Sequence, residues 1–388
     1  VLFPEAPMLA DRFRVGTNLL FFQVAVLSLF FSIGVHTSAE ETDLRNVILI
    51  TLDGLRGEEV FSGADQRLMT ADNGVQDPEG LKTKYWRPSP AKRRELLMPF
   101  LWQQCQSADG WIAGDTERDS VVQVTNGHYF SYPGYNEMLC GVADPDVDSN
   151  NKRYNRNITV LEWLHALPGY AGKVAAYCSW DVFPYIINDR RSGIPVNAGW
   201  QPLERGRAER IQMLNAVAEQ LFRQWEGVRY DVFTALGAIE EIRTHQPRVL
   251  FVALGETDDW AHEGYYDRYL TAAHQNDEFI RMLWDTTQTL PQYRNKTMFL
   301  ITSDHGRGNG RREWRGHGES YPGSERCWIA AFGSHLEARG MDRQGRYELA
   351  QIAATVAAYL GHDFTSTRDG IHPPLPIVRS VPHPSSPN

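Results

Sequence analysis

The sequence predicts an α/β protein: one mostly parallel sheet with helices on both faces. Three observations carry this reading. Residues 47–52, 249–254 and 298–302 are short, nearly continuous apolar runs, the pattern of strands buried on both sides. Residues 160–167, 208–225, 265–290 and 347–360 carry helical periodicity between and beyond them. Strand runs separated by longer helical runs are what a parallel sheet with crossover helices requires.

In chain order, Arg12 and Arg14 precede an uncharged run over residues 15–35, followed by Thr37-Ser38-Ala39 and then acidic residues. That order reads as a secretory signal cleaved after Ala39. The run also reaches the ~20 apolar residues that span a bilayer, so an uncleaved anchor is the alternative. On either reading residues 1–39 stand outside the fold, the protein is exported, and one catalytic domain covers residues 40–372. Within it, residues 56–97 are charged and loop-like. Residues 179–206, with Pro184, Gly193, Pro195 and Gly199, look like an excursion bordering a site. Residues 173–178 and 328–332 are weaker strand candidates, and the Pro-rich tail over 373–388 reads as extended or disordered.

Composition excludes some functions. Of 388 residues, 42% are apolar and 22% charged, an ordinary globular make-up, and the formal charge of -9 leaves no broad basic field for a nucleic acid. Contact with a membrane is expected only through an uncleaved leader. Cys105, Cys140, Cys178 and Cys327 lack CxxC spacing, so a zinc ribbon or redox motif is unsupported; disulfides or buried thiols remain. Asn157-Ile-Thr159 and Asn295-Lys-Thr297 match the glycosylation acceptor pattern.

The chemistry gathers just after the strands, where open α/β sheets bind ligands. The first run leads into Asp53-Gly54, the second into Asp258-Asp259-Trp260-Ala261-His262, and the third into Ser303-Asp304-His305-Gly306. Gly316-His317-Gly318 follows. Carboxylates and imidazoles together form a ligand set for Zn²⁺ or Mn²⁺. The i to i+4 spacing of Asp258 and His262 brings both to one side of a helical turn; Asp259 lacks that relation and is the weaker candidate. Glycines beside Asp53, His305 and His317 permit the tight turns that crowding around metals demands.

The series Asp53-Gly, Asp258-x-x-x-His262, Asp304-His305-Gly and Gly-His317-Gly resembles the metal-ligand signature of the alkaline phosphatase superfamily, with nucleotide pyrophosphatase/phosphodiesterases and sulfatase-like branches nearest. The resemblance spans roughly residues 46–335 and implies an alkaline phosphatase-like three-layer sandwich with two divalent ions. It assigns Asp53, Asp304, His305 and Ser131 to one ion, and Asp258, His262 and His317 to the other. It also implies a nucleophile at the mouth of a helix with proline two positions on, which Ser131-Tyr132-Pro133-Gly134-Tyr135 matches. A helix from about Asn136 to Gly141 would aim its N-terminal amides at an anion near Ser131.

These assignments imply an exported hydrolase of a small anionic ester, acting through a metal-activated serine and a phosphoserine intermediate. The sulfatase frame Cys/Ser-x-Pro-x-Arg is broken by Tyr135, which favours a phosphoryl substrate over a sulfate ester. Diester and monoester both stay open. Arg307 is a candidate extra cation for a monoester, and Asn150 or Asn151 a donor to the phosphate of a diester. His128 and Trp260 are further pocket candidates. Alternatives are a sulfatase-like or phosphonate hydrolase of the same superfamily, or a non-catalytic, metal-stabilised binding protein.

Overall fold

A computed structural model describes residues 44–337 and 340–379. The leader and the end of the Pro-rich tail lie outside the described residues. The chain enters through β1 (Asn46–Leu52), and α1 (Gly57–Ser62), α2 (Pro78–Tyr85), α3 (Pro90–Leu97) and α4 (Pro99–Cys105) follow. Next come β2 (Gly110–Ala113), β3 (Val121–Gln123), α5 (Ser131–Cys140) and α6 (Val160–Ala166). The middle of the chain forms β4 (Val174–Cys178), α7 (Phe183–Ile187), α8 (Asp189–Ser192) and β5 (Val196–Ala198). Helices α9 (Ala208–Gln220) and α10 (Asp231–Thr244) precede β6 (Val249–Leu254). Helices α11 (Glu256–Glu263) and α12 (Tyr266–Gln288) then lead to β7 (Thr297–Thr302). Four short strands, β8 (Arg326–Cys327), β9 (Ile329–Gly333), β10 (Gly340–Met341) and β11 (Arg346–Glu348), come before α13 (Gln351–Tyr359).

The main sheet has the order β10-β2-β9-β7-β1-β6-β4-β5. Its centre is parallel, with β1 between β6 and β7; β9 runs antiparallel to both β7 and β2. Strand β1 shows why the run 47–52 is apolar throughout. Ile48, Ile50 and Leu52 enter one core with residues of α1, α4, α10 and α12, whereas Val47 and Leu49 enter the opposite core with residues of α5, α6, α7 and α13. Helix layers on both faces complete the expected three-layer sandwich. Placing β1 in the middle brings the carboxyl ends of β1, β6 and β7 side by side, so the three acidic segments that follow them converge.

Several local expectations need correction. The segment 56–97 is largely helical: α2 and α3 open on Pro78 and Pro90, residues that fit the first helical turn because no N–H is needed there, and Asp77 caps α2 through the Gly80 N–H. Helix α9 stops at Gln220 rather than 225, and residues 346–348 pair with β3 before α13 begins. The tail stays packed further than its prolines suggest, since Leu375 and Ile377 are fully buried. All four cysteines are free and buried. The Asn157 side-chain nitrogen donates to Asn136 and Asp144, so a glycan there would break both bonds, whereas Asn295 is exposed. Among the described residues no helix is long and apolar enough to cross a membrane.

Candidate metal centre

Asp53 directly follows β1, and the backbone then turns sharply at Gly54, with φ of 58°. A Cβ there would sit 2.7 Å from Asp258 Oδ1, 2.8 Å from Arg307 Nη1 and 3.1 Å from His305 Cε1. Only glycine lets the first strand end pass beneath the other two. The Gly54 N–H donates to Asp304 Oδ1 (3.2 Å), tying the first strand end to the third. Thr257 of α11 donates to the Asp53 carbonyl (2.6 Å), tying in the second.

His305 is the hub of one cluster. Its Nδ1 lies 2.9 Å from the Gly306 carbonyl, which can only accept, so the proton sits on Nδ1 and the Nε2 lone pair is free. That Nε2 is 3.4 Å from Asp53 Oδ1, 3.5 Å from Asp304 Oδ2 and 3.4 Å from Ser131 Oγ. Ligands about 2.1 Å from a tetrahedral ion stand roughly 3.4 Å from one another, so these spacings fit a shared cation. Asp53 Oδ1 and Asp304 Oδ2 are buried with no hydrogen-bond partner among the described residues. Each orphaned acceptor costs ~1–3 kcal/mol unless something positive meets it. Burial, with the mutual repulsion of these carboxylates and Asp258, pushes Asp53 and Asp304 well above the usual carboxylate range. A divalent ion removes both penalties, so the residues fit the metal that the sequence implies.

Asp258, His262 and His317 form the second cluster. His262 Nε2 is 3.1 Å from Asp258 Oδ2 and 3.0 Å from His317 Nε2, and His317 Nε2 is 3.7 Å from Asp258 Oδ1. His317 Nδ1 donates to the Tyr129 carbonyl (3.1 Å), which again leaves Nε2 for a ligand. Burial holds His317 well below the usual histidine range, so the ring is neutral. Burial works against ionisation of Asp258, but the Arg307 guanidinium in contact with it outweighs this and keeps the carboxyl well below its ordinary value. The two clusters adjoin: the His305 and His317 rings stack with centroids 3.9 Å apart.

The structure thus brings together all seven residues that the sequence marked as ligands or nucleophile. The groups whose ligand atoms lie within 4.8 Å of one another are Asp53/Asp304/His305 and Asp258/His305/His317, with His262 beside the second through Asp258 and His317. Asp259 is in neither, and burial with the charges of Asp258 and Asp53 pushes its carboxyl up to about 9. Ser131 is the first residue of α5, five positions earlier than the expected helix start. This changes the anion-binding expectation, because the Tyr132 N–H is taken by Asn150 Oδ1 (2.9 Å) and Pro133 has none. The Ser131 N–H is the first-turn donor left without an acceptor among the described residues. Asn150, an exposed residue, stands beside Ser131 with its amide nitrogen unpartnered among the described residues; Asn151 lines a neighbouring cavity of about 180 Å³ with Tyr132. Arg307 is a fully buried residue whose guanidinium is used by Asp258 and by the Trp314 and Arg315 carbonyls. His128 pairs with Glu319, and Trp260 packs against Trp225 in the core.

Tyr135 is the residue whose part sequence reasoning missed. One turn after Ser131, its buried phenol donates to Asp53 Oδ2 (3.0 Å), orienting the carboxylate whose other oxygen faces His305. The only sequence signal was the broken arginine position. A helix begun at Ser131 would have placed residues 131 and 135 on one face.

No family model and no curated protein matches the sequence. Solved structures do. The lipoteichoic acid synthase LtaP from Listeria monocytogenes aligns at a TM-score of 0.52 and 11% identity, over 87% of this chain and 76% of that one. A 2-O GAG sulfatase aligns at 0.51 and 10% identity, over 84% and 73%. A putative sulfatase from Bacteroides thetaiotaomicron gives 0.51 and 11%, again over 84% and 73%. At these identities the likeness is one of fold. The chain shares its mixed α/β architecture, a mostly parallel central sheet flanked by helices, with this lipoteichoic acid synthase and these sulfatases.

Proposed function

We propose that the chain is a divalent-metal-dependent hydrolase of phosphate esters with Ser131 as nucleophile. The observation that carries this is the placement of Ser131 Oγ, Asp53 Oδ1 and Asp304 Oδ2 at 3.4–3.5 Å around the free His305 Nε2. Asp53, Asp304, His305 and Ser131 would hold one ion, and Asp258, His262 and His317 a second. The donor set suits zinc, with manganese the next choice. Such ions lower the pKa of a coordinated hydroxyl and neutralise charge on the attacking and leaving oxygens.

The chain's own groups supply the rest. Ser131 gives its proton to solvent and its oxygen attacks phosphorus, forming a phosphoserine as the bond to the leaving oxygen breaks and that oxygen takes a proton from solvent to depart as the alcohol. Water then cleaves the phosphoserine ester, returning a proton to Ser131 and releasing the phosphate product. The Ser131 N–H at the start of α5 and the Asn150 amide nitrogen are donors for a non-bridging oxygen. A diester is the preferred substrate. The guanidinium of Arg307, the candidate cation for a monoester's additional charge, is already used by Asp258 and two carbonyls. Sulfate esters are disfavoured, because position 135 of the Ser-x-Pro-x-Arg frame carries a buried tyrosine bonded to Asp53. With the leader read as a signal or anchor, the site of action is outside the cytoplasm.

The test is metal content together with p-nitrophenol release from mono- and bis-p-nitrophenyl phosphate. Faster release from the bis ester supports the reading; bound metal with no release from either substrate refutes the enzyme and leaves a metal-stabilised binding protein. Ser131→Ala is expected to abolish turnover with metal retained.

A further inference from the structure

The seven residues of the site do not hold themselves in place. The segment leading into Ser131 is clamped by a side chain that lies beyond it in sequence. Glu137, fully buried in the second turn of α5, accepts hydrogen bonds from the Thr125 N–H (2.9 Å), the Thr125 hydroxyl (2.9 Å), the Asn126 N–H (2.9 Å) and the Asn126 side-chain amide (3.0 Å). Asn126 passes the constraint on, since its Oδ1 accepts from the His128 N–H (2.9 Å) and the Tyr129 N–H (3.0 Å). Within this turn Tyr129 has a φ of 54°, a left-handed conformation that is strained for a non-glycine residue. The strained residue is the one whose carbonyl receives the His317 Nδ1 proton (3.1 Å), and Phe130 and Ser131 follow directly.

We propose that Glu137 and Asn126 are positioning residues that act through the 125–130 turn on two groups at once: they set where Ser131 begins α5, and they fix the Nδ1–H form of His317. The proposal rests on the reading of Ser131 and His317 given above. The physical logic is that of an outer hydrogen bond to a ligating imidazole, which decides the nitrogen that keeps its lone pair and the direction in which that lone pair points. Without the acceptor at Tyr129, His317 interconverts between two protonation forms, only one of which presents Nε2 to Asp258 and His262. Without Glu137, the Asn126 amide loses its acceptor and is free to rotate, and nothing else pays the strain at Tyr129.

The experiment compares wild type with Asn126→Ala, Glu137→Gln and the double variant Asn126→Asp/Glu137→Gln. The double variant exchanges the two groups, so that an amide at 137 donates to a carboxylate at 126 and the acceptor for His128 and Tyr129 is kept. Two readouts are taken: steady-state hydrolysis of bis-p-nitrophenyl phosphate on zinc-loaded protein, and the ¹⁵N resonances of the His317 ring on the metal-free protein. Each single variant is expected to lower kcat about 10–100-fold. KM should stay within about threefold, the mark of a lost transition-state interaction. The single variants should also convert the sharp Nδ1–H signature of His317 into that of a mixture, and the double variant should recover most of both. Wild-type kcat with an unchanged His317 signature in Asn126→Ala overturns the proposal, as does a loss that the exchange fails to repair. An inert wild-type protein would defeat the hydrolase reading alone, because the His317 signature tests the clamp without turnover.

Discussion

Replacing Tyr135 by phenylalanine removes one hydroxyl at the centre of the site, which donates to Asp53 Oδ2 (3.0 Å) and accepts a longer bond from Thr51 Oγ1 (3.4 Å). The ring is fully buried and packs against Phe183 with centroids 4.6 Å apart, so the variant keeps the packing and removes only the hydroxyl. What is lost depends on whether metal is bound. In the metal-free protein, burial and the neighbouring carboxylate of Asp258 push Asp53 well above the usual range, which shifts the carboxyl that the phenol meets toward its neutral form. A neutral hydrogen bond contributes ~0.5–1.5 kcal/mol. With a divalent ion present Asp53 is ionised, and the same bond becomes charge-assisted and contributes ~1.5–3 kcal/mol. Only the difference, ~1–1.5 kcal/mol, enters the metal-binding equilibrium, which corresponds to roughly tenfold weaker binding. The measurement is a competition titration of zinc against a chromophoric chelator. Affinity within about twofold of wild type would show that the phenol serves packing alone and does not orient Asp53.

Other perturbations follow from the same geometry. Gly54→Ala places a methyl group 2.7 Å from Asp258 Oδ1 and 2.8 Å from Arg307 Nη1 at a φ of 58°; metal content is expected to fall with circular dichroism unchanged, and full metal occupancy would contradict the crowding. Glu240 is held by Arg207, Arg210 and Arg243. Burial opposes its ionisation, but Arg207 and Arg210 override this and bring the carboxyl down to about 2. Its contribution to stability is therefore present above the unfolded value near 4.5 and is lost as pH falls toward 2. Glu240→Gln should cost about 1 kcal/mol near neutral pH, allowing for solvent screening of the half-exposed arginines, and the two melting curves should converge in acid. Parallel melting curves across that range would remove the arginines' role.

What could be read from the sequence was whatever leaves a local signature. Strands 47–52, 249–254 and 298–302 are apolar without a break because both faces of the sheet are covered, and the residues that follow them stand out by contrast. Helix α10 left no such mark. Ten of its fourteen residues are buried, among them Asp231, Glu240 and Glu241, so it lacks the one-sided apolar stripe by which a surface helix is recognised, and its buried acids read as surface. The charged stretch before α4 read as loop for its charge, whereas Pro78 and Pro90 start helices there.

The site itself divides along this line. Its ligands follow strands and could be listed; the groups that orient them could not, because their partners are far apart in the chain or hidden by the misplaced start of α5. Glu137 and Asn126 are eleven residues apart and belong to no recognisable pattern. Tyr135 was visible only as a residue that excludes the sulfatase frame. Beginning α5 at Ser131 gives that position a positive meaning, since Ser131 and the phenol then stand one turn apart, the phenol bonded to Asp53 just after β1. Where the frame calls for an arginine, a neutral donor orients Asp53 without adding charge beside a carboxylate that a metal is to neutralise. The change of side chain at 135 therefore bears on Asp53 as well as on the identity of the ester.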